Sequence, residues 1–189
     1  SKIRTIYYSD IVGAYMSDVS KDKITYEEKD LVFRFKAGNI GVQKLSMAEE
    51  SGRMIGIMGG SGAGKSTLLN VLNGVEKPSE GQLLINGRDV HGGSEEIEGL
   101  IGFVPQDDLL MEDLTVYQNL YYAAKLCFGN FQDERIAEMC DKVLSDIGLY
   151  GTRNLKVGSP LKKVISGGQR KRLNIALELI REPGVLFLD

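Results

Sequence analysis

Long apolar runs are absent from this sequence. No stretch approaches the roughly 18 apolar residues that a membrane-spanning helix requires. The longest ones, such as Met54–Met58 and Val185–Leu188, have the length of buried strands. The N-terminus also lacks a basic segment followed by an apolar block, which is the pattern of a secretory signal. We therefore expect a soluble segment with no membrane span of its own.

An excess of positive charge is missing too. The 23 lysine and arginine residues are outnumbered by 26 aspartate and glutamate residues, so the net charge is −3. Domains that bind nucleic acid usually carry a strong basic excess, and we therefore expect no nucleic-acid partner. The short basic runs Lys162–Lys163 and Arg170–Arg172 are interpreted as solvated charges on a loop and a helix.

Cysteine and histidine are scarce. The two cysteines, Cys127 and Cys140, fit no metal-ligand spacing. Both fall among apolar neighbours on predicted helices, so we expect buried thiols rather than a disulfide. This favours a reducing, cytoplasmic setting. The single histidine, His91, lies beside Gly92 and Gly93 and is expected in a surface loop.

The 189 residues are enough for one domain with a sizeable core. Residues 1–22 have a loosely helical spacing and are predicted to be a linker or a helix, whereas residues 23–189 form the domain itself. Period-two and continuous apolar patterns predict strands at Lys23–Glu28, Leu31–Lys36, Gly41–Ala48, Met54–Met58, Leu83–Ile85, Leu100–Val104 and Val185–Leu188. Met54–Met58 is expected to be covered on both faces. Helical spacing predicts helices at Lys65–Asn73, at 115–148 and at 167–181.

A glycine-rich segment joins the predicted strand Met54–Met58 to the first helix, and it fits the pattern Gly-x-x-x-x-Gly-Lys-Ser. Glycines allow successive backbone N–H groups to face one concavity, and the helix start adds unpaired N–H groups with a partial positive charge. Lys65 supplies a cation for the β- and γ-phosphates, and Ser66 offers a hydroxyl to Mg²⁺. Kinases, GTPases and ATPases all remain open. The predicted phosphate-binding residues are Gly59, Gly60, Ser61, Gly62, Ala63, Gly64, Lys65, Ser66 and Thr67.

A second anion site is predicted where the last helix begins. Ser166 and Gln169 have the spacing of a capping box, which by itself could simply start a helix. A serine hydroxyl and the N–H groups of Gly167 and Gly168 at a helix N-terminus also favour an anion. Because the first loop already accounts for one triphosphate, a second site indicates pairing with another copy of the chain.

These motifs resemble the ABC ATPases, whose defining segment is Leu-Ser-Gly-Gly-Gln; here Ile165 replaces the leucine. Gln106 follows a strand as the family's Q-loop glutamine does, and Val185–Asp189 looks like the Walker B strand. The resemblance covers residues 24–189. It implies an α/β fold, namely a P-loop NTPase core with an antiparallel β subdomain and an α-helical signature subdomain at about 107–165, incomplete at the C-terminus.

The resemblance also implies the cofactors ATP and Mg²⁺. The catalytic roles fall on Lys65, Gln106 and Asp189, and the metal-binding roles on Ser66, Gln106 and Asp189. The implied partners are a second copy in a head-to-tail ATP sandwich and the transmembrane domain of a transporter, at the cytoplasmic face of the cell membrane. The residues that would contact the ATP of the second copy are Ser166, Gly167, Gly168 and Gln169.

The residues around the motifs resemble the white (G-type) half-transporters, in which the nucleotide-binding domain precedes the membrane helices in one polypeptide. The segments concerned are Val104–Asp108, Leu114–Val116, Ser166–Arg172 and Ile175–Leu179. The alternative is a soluble ABC ATPase that serves DNA repair, translation or assembly. Such proteins often carry a coiled-coil insertion or a second cassette, and neither occurs in these residues.

An adenine-stacking aromatic stands about 30 residues before the P-loop lysine in many ABC domains, and Phe35 lies 30 residues before Lys65. The alternation of the strand allows either Phe35 or Phe33 to face the core, and we prefer the core position for Phe35. In the family, a catalytic glutamate and a switch histidine follow the Walker B aspartate. Since both would come after Asp189, we expect these residues alone to bind Mg-ATP but to hydrolyse it negligibly.

Overall fold

A computed structural model describes residues 2–7, 23–93, 97, 99–159 and 164–189 of the chain. The basic pair Lys162–Lys163 and most of the segment 1–22 lie outside these residues. The chain divides into two compact units, 1–101 and 102–189. Among the residues described, no helix has the length and apolar character needed to cross a membrane. The predicted α/β class is confirmed.

The described part of the first unit contains six complete strands and one α-helix. One sheet has four strands in the order β3-β2-β5-β6, and another pairs β1 with β4 in antiparallel register. The helix α1 buries its apolar face, Leu68, Leu69, Val71 and Leu72. The elements are β1 (Lys2–Tyr7), β2 (Thr25–Arg34), β3 (Ile40–Glu50), β4 (Arg53–Met58), α1 (Lys65–Leu72), β5 (Glu80–Ile85) and β6 (Arg88–Asp89).

Two strands of this unit differ from the prediction. Residues 2–7 form β1, not a linker or helix, because pairing with the distant β4 determines their backbone, and local spacing does not encode such a partner. Residues Met54–Ile57 of β4 are half-buried and Met58 is exposed, so the expected cover on both faces is not found. Among the described elements β4 packs mainly against β1, and this neighbour lies in the hydrogen-bonding direction, where it covers an edge of the strand but neither face.

The strand β2 combines two predicted strands into one. Its register against β3 shifts between Glu28 and Leu31, where Asp30 adopts a left-handed φ of 52°. Such a bulge re-aims the side chains that follow, and the next three residues, Leu31–Phe33, are all buried. At the other end of the strand, the Tyr26 hydroxyl donates to the Leu72 carbonyl at 2.5 Å, which ties β2 to the end of α1.

The second unit is mainly helical. Its elements are β7 (Ile101–Val104), of which all but the first residue belong to this unit, α2 (Val116–Cys127), α3 (Asp133–Asp146), a 3-10 turn (Tyr150–Thr152), α4 (Gly167–Leu179) and β8 (Val185–Leu188), and β7 pairs with β8. The predicted helix 115–148 is two helices, because the turn at Gly129 and Asn130 interrupts it. The core comprises Leu110, Val116, Leu120, Ala124, Ile136, Cys140, Val143, Leu144, Leu149, Val157, Ile165, Leu173, Ala176 and Ile180.

The two cysteines lie in different environments, which corrects the expectation that both are buried. Cys140 is buried in the core of the second unit, whereas Cys127, the last residue of α2, is exposed. The helical spacing places Cys127 near the helix end, where the apolar stripe no longer covers it. Burial, aided by the charge of Asp141, raises the pKa of the Cys140 thiol to about 12.

Because the thiolate is the reactive form, we expect an aromatic disulfide reagent to modify one thiol per native chain rapidly and the second only after unfolding. The Cys127→Ser variant should lose the rapid phase, and Cys140→Ser should keep it. Two rapid phases of equal size in the native wild type would contradict the burial of Cys140.

His91 is half-buried rather than fully exposed on the surface. Its backbone N–H donates to the Asp89 carboxylate at 2.8 Å, which closes a tight turn after β6. The ring atom Nε2 is buried and has no hydrogen-bond partner within the described ranges. The expected loop position is therefore confirmed, but the side chain is less exposed than that expectation implied.

Candidate nucleotide site

The phosphate loop leaves β4 and enters α1 at Lys65. Gly62 and Gly64 have φ angles of 74° and 82°, a region that residues with a Cβ adopt only under strain. The Ala63 N–H donates to the Gly60 carbonyl at 3.2 Å and closes the turn. Glycines are therefore required at two loop positions by the backbone itself.

Gly60 is different, because its φ is not in the left-handed region. A Cβ placed there would meet no atom of the described residues within 4 Å. Packing within the chain thus gives no reason for a glycine at this position. The open space above Gly60 instead fits the close approach of an external group such as a phosphate.

Lys65 places its ammonium against the start of the loop. Its Nζ donates to the carbonyls of Gly59 and Gly60 at 3.0 and 2.8 Å. The first turn of α1 contains no acidic residue, and Gly64 supplies no side-chain cap. The partial positive charge of the helix start is therefore not neutralised locally, and the loop has the donors that a triphosphate needs. Ser66, in that turn, is exposed.

Phe35 is 46% exposed, whereas Phe33 is buried. The preferred core position for Phe35 is therefore wrong, because β2 ends at Arg34: Phe33 lies within the strand and is buried, whereas Phe35 lies past its end. The rings meet edge to face with centroids 5.3 Å apart. A Cβ on Gly41 would come within 2.8 Å of the Phe35 ring, so the glycine leaves room for this ring beside β3.

In the second unit, Gln106 and Asp189 follow the two paired strands β7 and β8. The Asp189 N–H donates to the Val104 carbonyl at 3.0 Å, so the two strands end at the same edge. Gln106 is exposed and Asp189 is half-buried. Amide and carboxylate oxygens are ligands that Mg²⁺ accepts, and both residues are near this edge.

The predicted capping box at the start of α4 is confirmed. The Ser166 hydroxyl accepts from the Gln169 N–H at 3.2 Å, and the Gln169 side chain accepts from the Ser166 N–H at 2.7 Å. A Cβ on Gly167 would meet no described atom within 4 Å, and one on Gly168 would only touch the Ser166 hydroxyl at 4.0 Å. Packing within the chain therefore does not require glycine at these two positions, and the two glycines leave the start of α4 accessible.

The basic run after this box is not a set of solvated charges. Arg170 is 5% exposed, and its guanidinium binds the Asp108 carboxylate through Nε at 2.7 Å and Nη2 at 3.0 Å. This pair of hydrogen bonds lowers the pKa of the Asp108 carboxyl below its ordinary value. Arg170 also donates to the carbonyls of Val157 and Gly158.

Sequence reasoning missed this ion pair, although a signal existed. Arg170 lies three and seven residues before Leu173 and Leu177, on the apolar side of the predicted helix. Lys171 is half-buried, and of the three basic residues only Arg172 is exposed. The interpretation as solvated charges therefore holds for Arg172 alone.

Comparison with known proteins connects these features. Residues 42–189 match the family model described as ABC transporter. ABC-type transporter ClaG of Penicillium crustosum is 42% identical over 140 residues, which are 74% of this chain and 19% of that protein. ABC transporter G family member 25 of Oryza sativa subsp. japonica is 39% identical over 168 residues, which are 85% of this chain and 16% of that protein.

ATP-binding cassette sub-family G member 8 of Rattus norvegicus is 32% identical over 155 residues, 80% of this chain and 22% of that protein. The chain thus spans about a fifth of the length of these relatives. CbiO1 of Clostridium perfringens, part of the ABC transporter complex CbiONQ, has a similar structure, with a TM-score of 0.69 at 27% identity, covering 87% of this chain and 64% of that one. The chain has a phosphate loop, the Ser166–Gln169 segment at the start of α4 (hereafter the signature helix) and relatives in the G group, and it belongs to the ABC transporter family.

Proposed function

We propose that this chain binds Mg-ATP through residues 59–67 and that a pair of copies hydrolyses the nucleotide to power transport. The observation that carries the proposal is the position of the Lys65 ammonium, 3.0 and 2.8 Å from two carbonyls of the phosphate loop. From there a compact cation reaches phosphate oxygens that accept hydrogen bonds from the α1 N–H groups. Binding therefore needs no large rearrangement of the loop.

Magnesium fits the side chains available. Ser66 provides a hydroxyl, Asp189 a carboxylate and Gln106 an amide oxygen, all hard donors. When bound, the ion would neutralise charge on the β- and γ-phosphate oxygens. In this proposal Lys65 orients the same phosphates, and Gln106 would orient the water that attacks them.

A second copy completes the proposed site. The Ser166–Gln169 box presents a serine hydroxyl and two glycine N–H groups to solvent, and the packing within one chain leaves that space open. A phosphate held by the loop of one copy would fill it in a head-to-tail pair. Each dimer would then bind two ATP molecules between opposing copies.

The transport role rests on the relatives, several of which are named as G-family transporters. A transmembrane domain would dock beside Gln106, where Leu109 and Met111 are 77% and 61% exposed. Two large apolar side chains exposed this close together in the sequence favour a protein partner on this surface. We place this assembly at the cytoplasmic face of the membrane, and the net charge of −3 gives no reason for a nucleic-acid partner.

Titration calorimetry of the chain with Mg-ATP tests the proposal. We expect one binding site per chain, competition by inorganic triphosphate, and weaker binding when Mg²⁺ is removed with EDTA. A chain that releases no heat with Mg-ATP, and whose melting temperature ATP does not raise, would refute it.

Phe35 gives a further prediction about the adenine. Stacking of a base on an aromatic ring is worth about 1–3 kcal/mol, so Phe35→Ala should weaken ATP binding by roughly fivefold to a hundredfold. Binding of inorganic triphosphate should not change, because it has no base. Phe131→Ala removes another exposed ring and serves as the control. Equal losses for ATP and triphosphate would exclude stacking.

A further inference from the structure

Lys171 makes an unusual set of contacts for a residue next to the signature segment. Its Nζ donates to the Pro105 carbonyl at 3.1 Å and to the main-chain oxygen of Asp189 at 2.8 Å. Pro105 immediately precedes Gln106, and Asp189 immediately follows β8. One ammonium thus contacts the backbone next to both proposed metal ligands of this unit.

Arg170 fixes the other side of the same loop. Its bidentate bond to Asp108 anchors the chain two residues after Gln106, and its burial keeps the guanidinium in place. Helix α4 therefore holds the backbone both before and after Gln106, while Gln106 itself remains exposed. The loop can present this side chain only from a position that α4 determines.

The chemistry of lysine suits this position. An ammonium has three donors and can bond to two main-chain oxygens at once, whereas methionine, an apolar side chain of similar length, has no donor. A hydrogen bond from a charged donor is stronger than one between neutral groups. The Asp189 N–H already donates to the Val104 carbonyl between these two segments, and the Lys171 ammonium adds a second connection at the main-chain oxygens of Pro105 and Asp189.

We propose that Lys171 is a positioning residue, which holds the Gln106 loop and the Asp189 strand end at a fixed separation beside the signature helix. It touches neither nucleotide nor metal and acts through the backbone of the two residues that would. Since Ser166 lies on the same helix, a shift of α4 on contact with a second copy would be transmitted to Gln106 and Asp189 together. The inference rests on the proposed ATPase function.

ATP turnover of the full-length protein is the first readout. In Lys171→Met we expect kcat to fall about tenfold to a hundredfold, the loss of two charge-assisted hydrogen bonds, with KM for ATP changed less than about threefold. Lys171→Arg retains charged donors and should recover most of kcat. Arg172→Met, which removes the exposed neighbouring charge, is the matched control and should behave as the wild type.

A second readout separates this inference from the function on which it rests. Amide hydrogen exchange at 106–108 and at Asp189 should accelerate by about tenfold or more in Lys171→Met, with unchanged exchange in α2 and α3. If the wild type lacks turnover, the proposed function fails and the exchange data alone decide the positioning role. A Lys171→Met protein with unchanged exchange at these amides, or with a wild-type kcat, overturns the proposal; so does an equal loss in Arg172→Met.

Discussion

Replacing Lys65 with alanine is expected to weaken Mg-ATP binding by about tenfold to a hundredfold. Lys65 is the one charged residue in the segment 59–67, and a hydrogen bond to a charged group is worth about 1.5–3 kcal/mol. The ammonium already lies at the loop, held by two carbonyls, so little entropy is lost when phosphate binds. Titration calorimetry measures the effect directly.

The matched control is Lys77→Ala, which removes the same charge from an exposed position after α1. It should bind Mg-ATP as the wild type does, and both variants should unfold at similar denaturant concentrations because neither side chain belongs to the core. Equal affinity of the Lys65→Ala and Lys77→Ala variants would show that the loop does not hold the triphosphate.

Replacing Glu28 with glutamine is expected to stabilise the chain at neutral and alkaline pH. Glu28 lies in β2 with 1% of its surface exposed, and both of its carboxyl oxygens are buried, near the Tyr26 hydroxyl that donates to the Leu72 carbonyl. Burial, and to a smaller extent the charge of Glu49, raises the pKa of Glu28 from 4.5 to about 7.

The sign of the effect follows from proton linkage. Between about pH 4.5 and 7 the folded chain binds more protons at Glu28 than the unfolded chain does, so stability falls as the pH rises through this range. One pKa unit corresponds to about 1.4 kcal/mol. From pH 4 to pH 8 the free energy of unfolding of Glu28→Gln should therefore gain about 3 kcal/mol relative to the wild type.

Urea unfolding at pH 4, 6 and 8 checks this prediction. Glu50→Gln removes the same charge from an exposed side chain paired with Lys23. Solvent-exposed ion pairs contribute little to the free energy of unfolding, so the stability of this variant should follow that of the wild type at each pH. A constant difference between Glu28→Gln and the wild type across this range would show that Glu28 is ionised at the same pH in both states.

The parts of the fold that sequence predicted well are those with local causes. The glycines and Lys65 start α1, and the reciprocal hydrogen bonds of Ser166 and Gln169 start α4, each within four residues of chain. Helix propensity, capping and the need for a left-handed φ are all properties of such short segments. They were therefore accessible without the structure.

The errors concern residues whose environment depends on distant segments. β1 forms because β4 is beside it, and Phe35 rather than Phe33 is exposed because β2 ends at Arg34. The burial of Arg170 requires the Asp108 carboxylate, 62 residues earlier in the chain. Helical spacing placed Arg170 on the buried face, but only the partner explains how a charge is accommodated there.

The central claim is that ATP is bound between the phosphate loop of one copy and the signature helix of another. Gly168→Glu puts a negative charge at the exposed start of α4, where the helix tolerates it but a phosphate does not. Sedimentation velocity with Mg-ATP should show dimers of the wild type and monomers of Lys65→Ala or Gly168→Glu alone. An equal mixture of the two variants should form dimers again, because one intact loop then faces one intact signature helix. A mixture that stays monomeric while the wild type dimerises, or Gly168→Glu chains that dimerise alone, would contradict the account.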